Sequence, residues 1–381
     1  MKAEEIEIDE VSSRSDLNHF IKFPWKVYAG NPNWVPPLLI DRKEFFDKTR
    51  NPFYRHAEVK LFLARYRGEI MGRIAACINH AYNQFHEQKI GSFGFFESVE
   101  NYDVAYRLLK TAMIELKRSG MEVMHGPANF STNHDVGLLI DSFDLPPVVM
   151  MTYNPPYYVD YFERFGLKKA KDLLAYRIIK SNQPPERVRK LVERIRKRSH
   201  ATFRGLRMND FNNEVKRVID IFNDAWQESY GYVPLSDEET THIARSLRQI
   251  IDPDLVRFAE IDGETVGFSL ALPDINQVLI RINGRLFPFG LLKLLWHTKV
   301  RNKIKQLRVL LMGVKPEYRK RGIDNIFYLD TFDIGTVKGY EAAELSWILE
   351  DNQLMISAIE MLGGEHYKTY RMYEAPLTSG K

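Results

Sequence analysis

The order of apolar and polar positions cuts the chain into short apolar runs and longer runs with helical spacing. Val59 to Tyr66 is strand-like, and Ile74-Ala75-Ala76-Cys77-Ile78 belongs to the next apolar run. Gly68-Glu69-Ile70-Met71-Gly72 joins them, which predicts a tight hairpin. Val256 to Ile261 followed by Gly263-Glu264-Thr265-Val266-Gly267 predicts a second hairpin of the same kind. Further on, Val309-Leu310-Leu311-Met312 reads as a strand, about Asn325 to Lys338 as a helix, and Glu341 to Trp347 as a strand.

The two hairpins belong to an internal repeat. Their glycine turns are offset by 263 − 68 = 195 positions. Upstream, Trp34-Val35-Pro36-Pro37-Leu38 matches Tyr232-Val233-Pro234-Leu235, an offset of 233 − 35 = 198. Downstream, Asn154 and Asn352 differ by 198, and Gly166 and Gly363 by 363 − 166 = 197. A near-constant offset over the whole chain means one unit used twice. Each copy reads as helix, helix, strand hairpin, strand, helix, strand, helix, strand, which is an α/β sandwich. The expected division is 1–180 for the first unit, 181–200 for a basic connector helix and 201–381 for the second unit. Each copy carries one insertion, about Gly126 to Met151 in the first and about Asn276 to Lys305 in the second.

Composition narrows the class. Lys and Arg exceed Asp and Glu by only 54 − 50 = +4, too little over 381 residues to suggest a nucleic-acid partner. One cysteine, Cys77, excludes a disulfide framework and a cysteine-based metal site, and no metal is expected. Met1 to Glu10 is acidic and does not read as a signal peptide. No apolar run reaches the roughly 18 residues of a membrane span. A cytoplasmic location follows as an expectation.

The most informative stretch is Val314-Lys315-Pro316-Glu317-Tyr318-Arg319-Lys320-Arg321-Gly322-Ile323-Asp324, set between a strand and a helix. A glycine turn there aims backbone N–H groups and the positive end of a helix dipole at one point. Arg319, Lys320 and Arg321 add charge, so a phosphate or pyrophosphate is the natural ligand. The alternative is a basic surface turn that caps an ordinary helix.

Val314, Pro316, Arg319 and Gly322 resemble the Val-x-Pro-x-x-Arg-x-x-Gly turn of the GNAT superfamily of acyl-CoA N-acyltransferases. The repeat and element order resemble a tandem GNAT protein over nearly the full length, similar to uncharacterised bacterial proteins of that type. The resemblance implies an α/β fold of two GNAT-like sandwich units, with mixed sheets flanked by helices. It implies acetyl-CoA or another acyl-CoA as substrate, held at Met312, Val314, Arg319, Lys320, Arg321, Gly322, Ile323, Asp324 and Asn352. It also implies acyl transfer to a small-molecule or peptide amine. The sequence departs from the family at three places: Asp324 replaces Gly or Ala, Ile359 stands where the family carries a tyrosine acid, and the strand Leu310 to Val314 lacks the carboxylate base that some members carry. Tyr367, Tyr370 or Tyr373 could replace that acid, although strand packing also explains them. These departures keep open a catalytically inactive protein that binds a CoA-like or phosphorylated ligand. A Fem-like aminoacyl transferase is a third reading, disfavoured by the modest charge.

Other clusters are weighed against plain structural roles. The first copy's counterpart of the turn, Phe96 to Asp103, has no glycine and three acids, so that copy is read as degenerate. Asn129, Asn133, His134 and Asp135, with Tyr157 nearby in sequence, could bind a small polar substrate, or could cap a helix and close turns. Leu286 to Trp296, followed by His297 to Lys305, could cover an acyl chain or touch a membrane surface, or could simply pack in the core. The basic run from Arg187 to Arg198 reads as a charged connector helix.

Overall fold

A computed structural model describes residues 3–286 and 304–377. The insertion's apolar and basic run lies largely outside the described residues, at 287–303. The strands, in chain order, are β1 (Ile6–Glu10), β2 (Ala57–Tyr66), β3 (Glu69–Asn79), β4 (Ile90–Ser98), β5 (Val123–Gly126), β6 (Leu138–Leu139) and β7 (Lys168–Ile179). The second half adds β8 (Thr202–Gly205), β9 (Val256–Ile261), β10 (Glu264–Pro273), β11 (Gln306–Val314), β12 (Ala342–Leu349) and β13 (Glu365–Pro376). The chain forms two compact units. The first holds residues 1–172, 279–290 and 369–381, and the second 173–278 and 291–368.

Both units use the same strand order. In the first, β1, β2, β3 and β4 pair antiparallel in sequence, β4 pairs parallel with β5, and β5 pairs antiparallel with residues 373–376 of β13. In the second, β8, β9, β10 and β11 pair antiparallel, β11 pairs parallel with β12, and β12 pairs antiparallel with residues 173–179 of β7. The closing strand of each unit therefore comes from the other sequence repeat. The expected 1–180 and 201–381 blocks describe the repeat along the chain; the units in space trade their last strands.

The hairpins follow from their turns. Arg67-Gly68 and Asp262-Gly263 all have positive φ, from 49° to 83°, as a two-residue turn matched to strand twist requires. The glycine after each turn serves close packing. A Cβ at Gly72 would lie 2.6 Å from Leu108 Cδ1, and one at Gly267 3.2 Å from Phe327 Cε2. Thus the shared Gly-Glu-x-x-Gly phrase records the same helix pressed on the same strand in both units. In the first unit that helix is Tyr102–Arg118, whose buried Val104, Ala105, Leu108, Leu109, Ala112 and Leu116 recur at three- and four-residue steps. In the second it is Ile323–Val337.

Helices cover both sheet faces. In the second unit, Glu186–Arg198 and Gln353–Met361 join Ile323–Val337 in burying one face, around Leu307, Val309 and Leu345. Phe211–Trp226 covers the other: a Cβ at Gly313 would lie 2.9 Å from the Trp226 ring. The short edge strands β1 and β8 were not expected from sequence. Ile6-Glu7-Ile8-Asp9-Glu10 and Thr202-Phe203-Arg204-Gly205 are too polar and too short to give a strand signal.

Candidate acyl-CoA site

The second unit contains a gap in its own sheet. Parallel pairing of β11 with β12 covers only Gln306 to Val309 against Ala342 to Leu345. Beyond that point β11 stays with β10 as far as Val314, with an extra residue at Leu310 between the pairs Ala271–Val309 and Leu270–Leu311. β12 has its own irregularity at Ser346 and Trp347, opposite β7. Two bulges on adjacent strands bend them apart. Leu310, Leu311 and Met312 are consequently only half-buried although their strand lies inside the sheet. The half-buried β11 residues past this point are apolar, and they lead to the glycine turn.

The turn has the backbone that the sequence implied. Lys320 and Gly322 are left-handed, with φ of 63° and 73°. Gly322 precedes the helix Ile323–Val337 without any side-chain cap, so no such cap competes for the first-turn N–H groups of Ile323, Asp324 and Asn325. Glycine is required for space too: a Cβ there would lie 2.9 Å from Ile195 Cγ2.

The charged residues around it divide their labour. Arg319 donates to the Ala225 carbonyl at 2.8 Å and to the Val314 carbonyl at 3.4 Å, so its guanidinium fastens the turn to neighbouring backbone. Arg321 lies over the Tyr318 ring at 4.9 Å. Tyr318 and Lys315 both donate to Glu264, at 3.2 and 2.5 Å. Lys320 is exposed. Asp324 is also exposed, in the first helical turn, where a carboxylate complements the helix dipole and competes with an incoming anion. Asn352 caps the helix Gln353–Met361 through Met355 N–H at 3.2 Å. Ile359 is fully buried in the core and offers no proton.

A buried polar network marks the point where the strands part. Arg308 and Glu344 are register partners on β11 and β12, exposed by 1% and 0%. Arg308 Nε donates to Ser346 Oγ at 3.1 Å, and Ser346 Oγ donates to Glu344 Oε1 at 2.6 Å. The half-buried Tyr367 donates its hydroxyl to Glu344 Oε2. A buried carboxylate is tolerated only with such donors around it. Sequence reasoning missed Arg308 and Glu344. Their signal is a single charged residue inside each of two apolar strands, Leu307-Arg308-Val309 and Ala343-Glu344-Leu345.

The first unit closes the equivalent gap. There β4 and β5 pair only over Ile90 to Ser92. The chain after Pro127 then enters the space. Ala128 N–H donates to the Phe93 carbonyl at 2.8 Å, and Asn129 Oδ1 accepts from Phe95 N–H at 2.8 Å. A Cβ at Gly94 would fall 1.8 Å from the Ala128 carbonyl oxygen. Phe130 stacks on Phe45 and Phe53. His134 Nδ1 and Ser131 Oγ are 3.0 Å apart, Asn133 N–H donates to Ser131 Oγ at 3.3 Å, and Asp135 pairs with Arg42 at 3.2 Å. Tyr157 donates to the Ser98 carbonyl at 2.9 Å. The predicted polar cluster is therefore a knot of hydrogen bonds that plugs the gap. Asn101 caps the following helix through the N–H groups of Asp103 and Val104, so that terminus is occupied as well. The polar centre of this unit is Glu97, held by Tyr28, Tyr158 and Arg73. Burial pushes its carboxyl above the usual value, against the pull of Arg73 and the tyrosine hydroxyls.

The cluster at 129–135 and the glycine turn belong to different units. Comparison with known proteins gives the lineage. The chain is 38% identical over 378 residues to the bacterial ceramide synthase of Caulobacter vibrioides, covering 98% of each chain. It is 35% identical over 367 residues to protein YghO of Escherichia coli, covering 95% of this chain and 93% of that one. The chain belongs to the family of these two bacterial proteins. No protein-family profile matches it. Among solved structures, a tandem GNAT protein from the clavulanic acid biosynthesis pathway superposes with a TM-score of 0.58 at 11% identity, covering 99% of this chain and 100% of that one. This family member is thus a tandem GNAT-fold protein, as its repeat and turn motif implied. None of its described helices is long and apolar enough to cross a membrane.

Proposed function

We propose that the protein transfers an acyl group from acyl-CoA to the amino group of a long-chain amine, forming an amide. The observation that carries this reading is the parting of β11 and β12 after Val309, which leaves Leu310, Leu311 and Met312 half-buried on a strand that leads to an uncapped helix N-terminus. Such a gap suits the pantetheine arm and thioester, with the pyrophosphate at the N–H groups of residues 322–325. The acceptor class is suggested by the Caulobacter relative, named a ceramide synthase. A ceramide is a fatty amide of a long-chain amino alcohol.

In this reading the amine nitrogen attacks the thioester carbonyl. The C–N bond forms, the C–S bond breaks, and CoA leaves as a thiolate, which becomes the thiol by taking up the proton removed from the amine. Glu344 takes the amine proton, and Tyr367 links that buried carboxylate to the open side. The first unit, with its gap filled, serves as scaffold. A second reading, a ligand-binding protein without turnover, is favoured by Asp324 beside the anion position.

The test is release of CoA thiol from acetyl-, octanoyl- and palmitoyl-CoA with short and long primary amines. Turnover that rises with amine chain length supports the proposal. Tight binding of acyl-CoA with no turnover on any amine would favour the second reading. No thermal shift with any thioester would overturn both.

A further inference from the structure

The connector helix Glu186–Arg198 has a face that the acyltransferase reading does not use. Val188 and Val192 are buried, and Ile195 packs against the glycine turn at Gly322. Arg189 and Arg196 flank that contact and pair with Asp333 and Asp330 of the helix Ile323–Val337. The outward side carries Arg187, Lys190, Leu191, Arg194, Lys197 and Arg198, all exposed. At 3.6 residues per turn these six fall within roughly a third of the helix circumference. Lys190 makes a loose pair with Glu186 at 3.6 Å. Arg187, Arg194, Lys197 and Arg198 make no ion pair among the described residues.

Four cations without an ion pair, with Lys190 only loosely paired beside them, repel each other and raise the cost of the folded state. Leu191, 47% exposed, lies midway along the length of the stripe, at one edge of it. A surface that offers many negative charges in a plane and an apolar layer beneath them meets both features. We propose that this stripe docks the protein on an anionic phospholipid surface. The stripe runs along one rigid helix anchored beside the glycine turn, so docking would bring the acyl-CoA site to the bilayer. The inference rests partly on the proposed function, because long-chain amines and their amides partition into bilayers. The charge pattern itself is independent of it. Nucleic acid fits less well: the chain as a whole is only +4, and an exposed leucine has no role against phosphates.

The experiment is co-sedimentation of the full chain with phosphatidylglycerol vesicles and with phosphatidylcholine vesicles. The triple variants R187E/R194E/R198E and R187A/R194A/R198A are compared with the parent, with melting curves as the check of folding. The parent is expected to pellet with the anionic vesicles alone and to be released by roughly 0.5 M salt, where screening is short-ranged. The reversed variant should bind ~10-fold or more weakly, and the alanine variant should fall between. Absence of binding to anionic vesicles, or equal binding by folded variants, overturns the proposal. So does binding to single-stranded RNA in place of vesicles. Acyl transfer to a detergent-dispersed amine is measured in parallel and should be unchanged by the substitutions. Vesicle binding without any acyl transfer would reject the enzymatic reading and leave this one standing.

Discussion

The side-chain oxygen of Asn129 accepts the backbone N–H of Phe95 at 2.8 Å, inside the gap between β4 and β5 of the first unit. That contact makes the two copies unequal. Asn129→Ala leaves a buried N–H unsatisfied and should lower stability by about 1–3 kcal/mol. It should leave the affinity for acyl-CoA unchanged. Calorimetric titration of the parent should saturate at one CoA per chain. A stoichiometry of two would mean that the plug opens.

Asp324 stands exposed in the first helical turn after Gly322, beside the proposed anion position. Asp324→Asn removes a negative charge beside the expected pyrophosphate and should tighten CoA binding by roughly threefold to tenfold at low salt. The same change weakens the helix by about 0.3–1 kcal/mol through the lost dipole interaction. Opposite signs for ligand affinity and melting temperature are the signature to measure.

Glu344→Gln should reduce kcat by about 10²- to 10⁴-fold while the CoA dissociation constant stays within twofold. Tyr367→Phe should act on the same parameter and more weakly. If Glu344 only holds the strands in place, CoA binding will fall along with the rate.

Acid sensitivity should trace to Asp172. Burial alone would raise its carboxyl, but hydrogen bonds from Arg371 and Lys169 outweigh that and hold it below the usual 3.8. A depressed carboxyl contributes stability above its unfolded value and loses it as pH falls through the folded one. Denaturation midpoints of the parent should therefore drop below pH 3.8, and those of Asp172→Asn should depend less on pH in that range.

The parts of this protein that were legible in sequence are those fixed by local geometry. The hairpins and the turn before Ile323–Val337 depend on left-handed backbone, and Gly68, Gly263 and Gly322 mark it directly. The exchange of closing strands left no local trace, because β7 and β13 have the same composition whichever sheet they join. Arg308 and Glu344 were overlooked because one charge in an apolar strand does not disturb its pattern. The cluster at 129–135 was seen as polar, with a substrate role and a structural role both open. That it fills a gap in a sheet could be known only from the space around it. Arg319 was read as added charge; of its two carbonyl partners Val314 is 5 residues away and Ala225 is 94 away, so the second could not be read from the motif.

The traded strands also set a timetable. Tyr373 pairs with Gly126 across 373 − 126 = 247 positions, so the first unit waits for a strand made after every strand of the second. Its sheet stays open at the β5 edge throughout synthesis of the second unit, and an open edge invites wrong partners. A chain arrested before residue 369 would expose that edge permanently, whereas the second unit would already hold all of its own strands. Nascent-chain proteolysis should find the first unit cleavable until residues 373–376 are made, and the second protected first. The copy that comes first in the gene would be the last to finish folding.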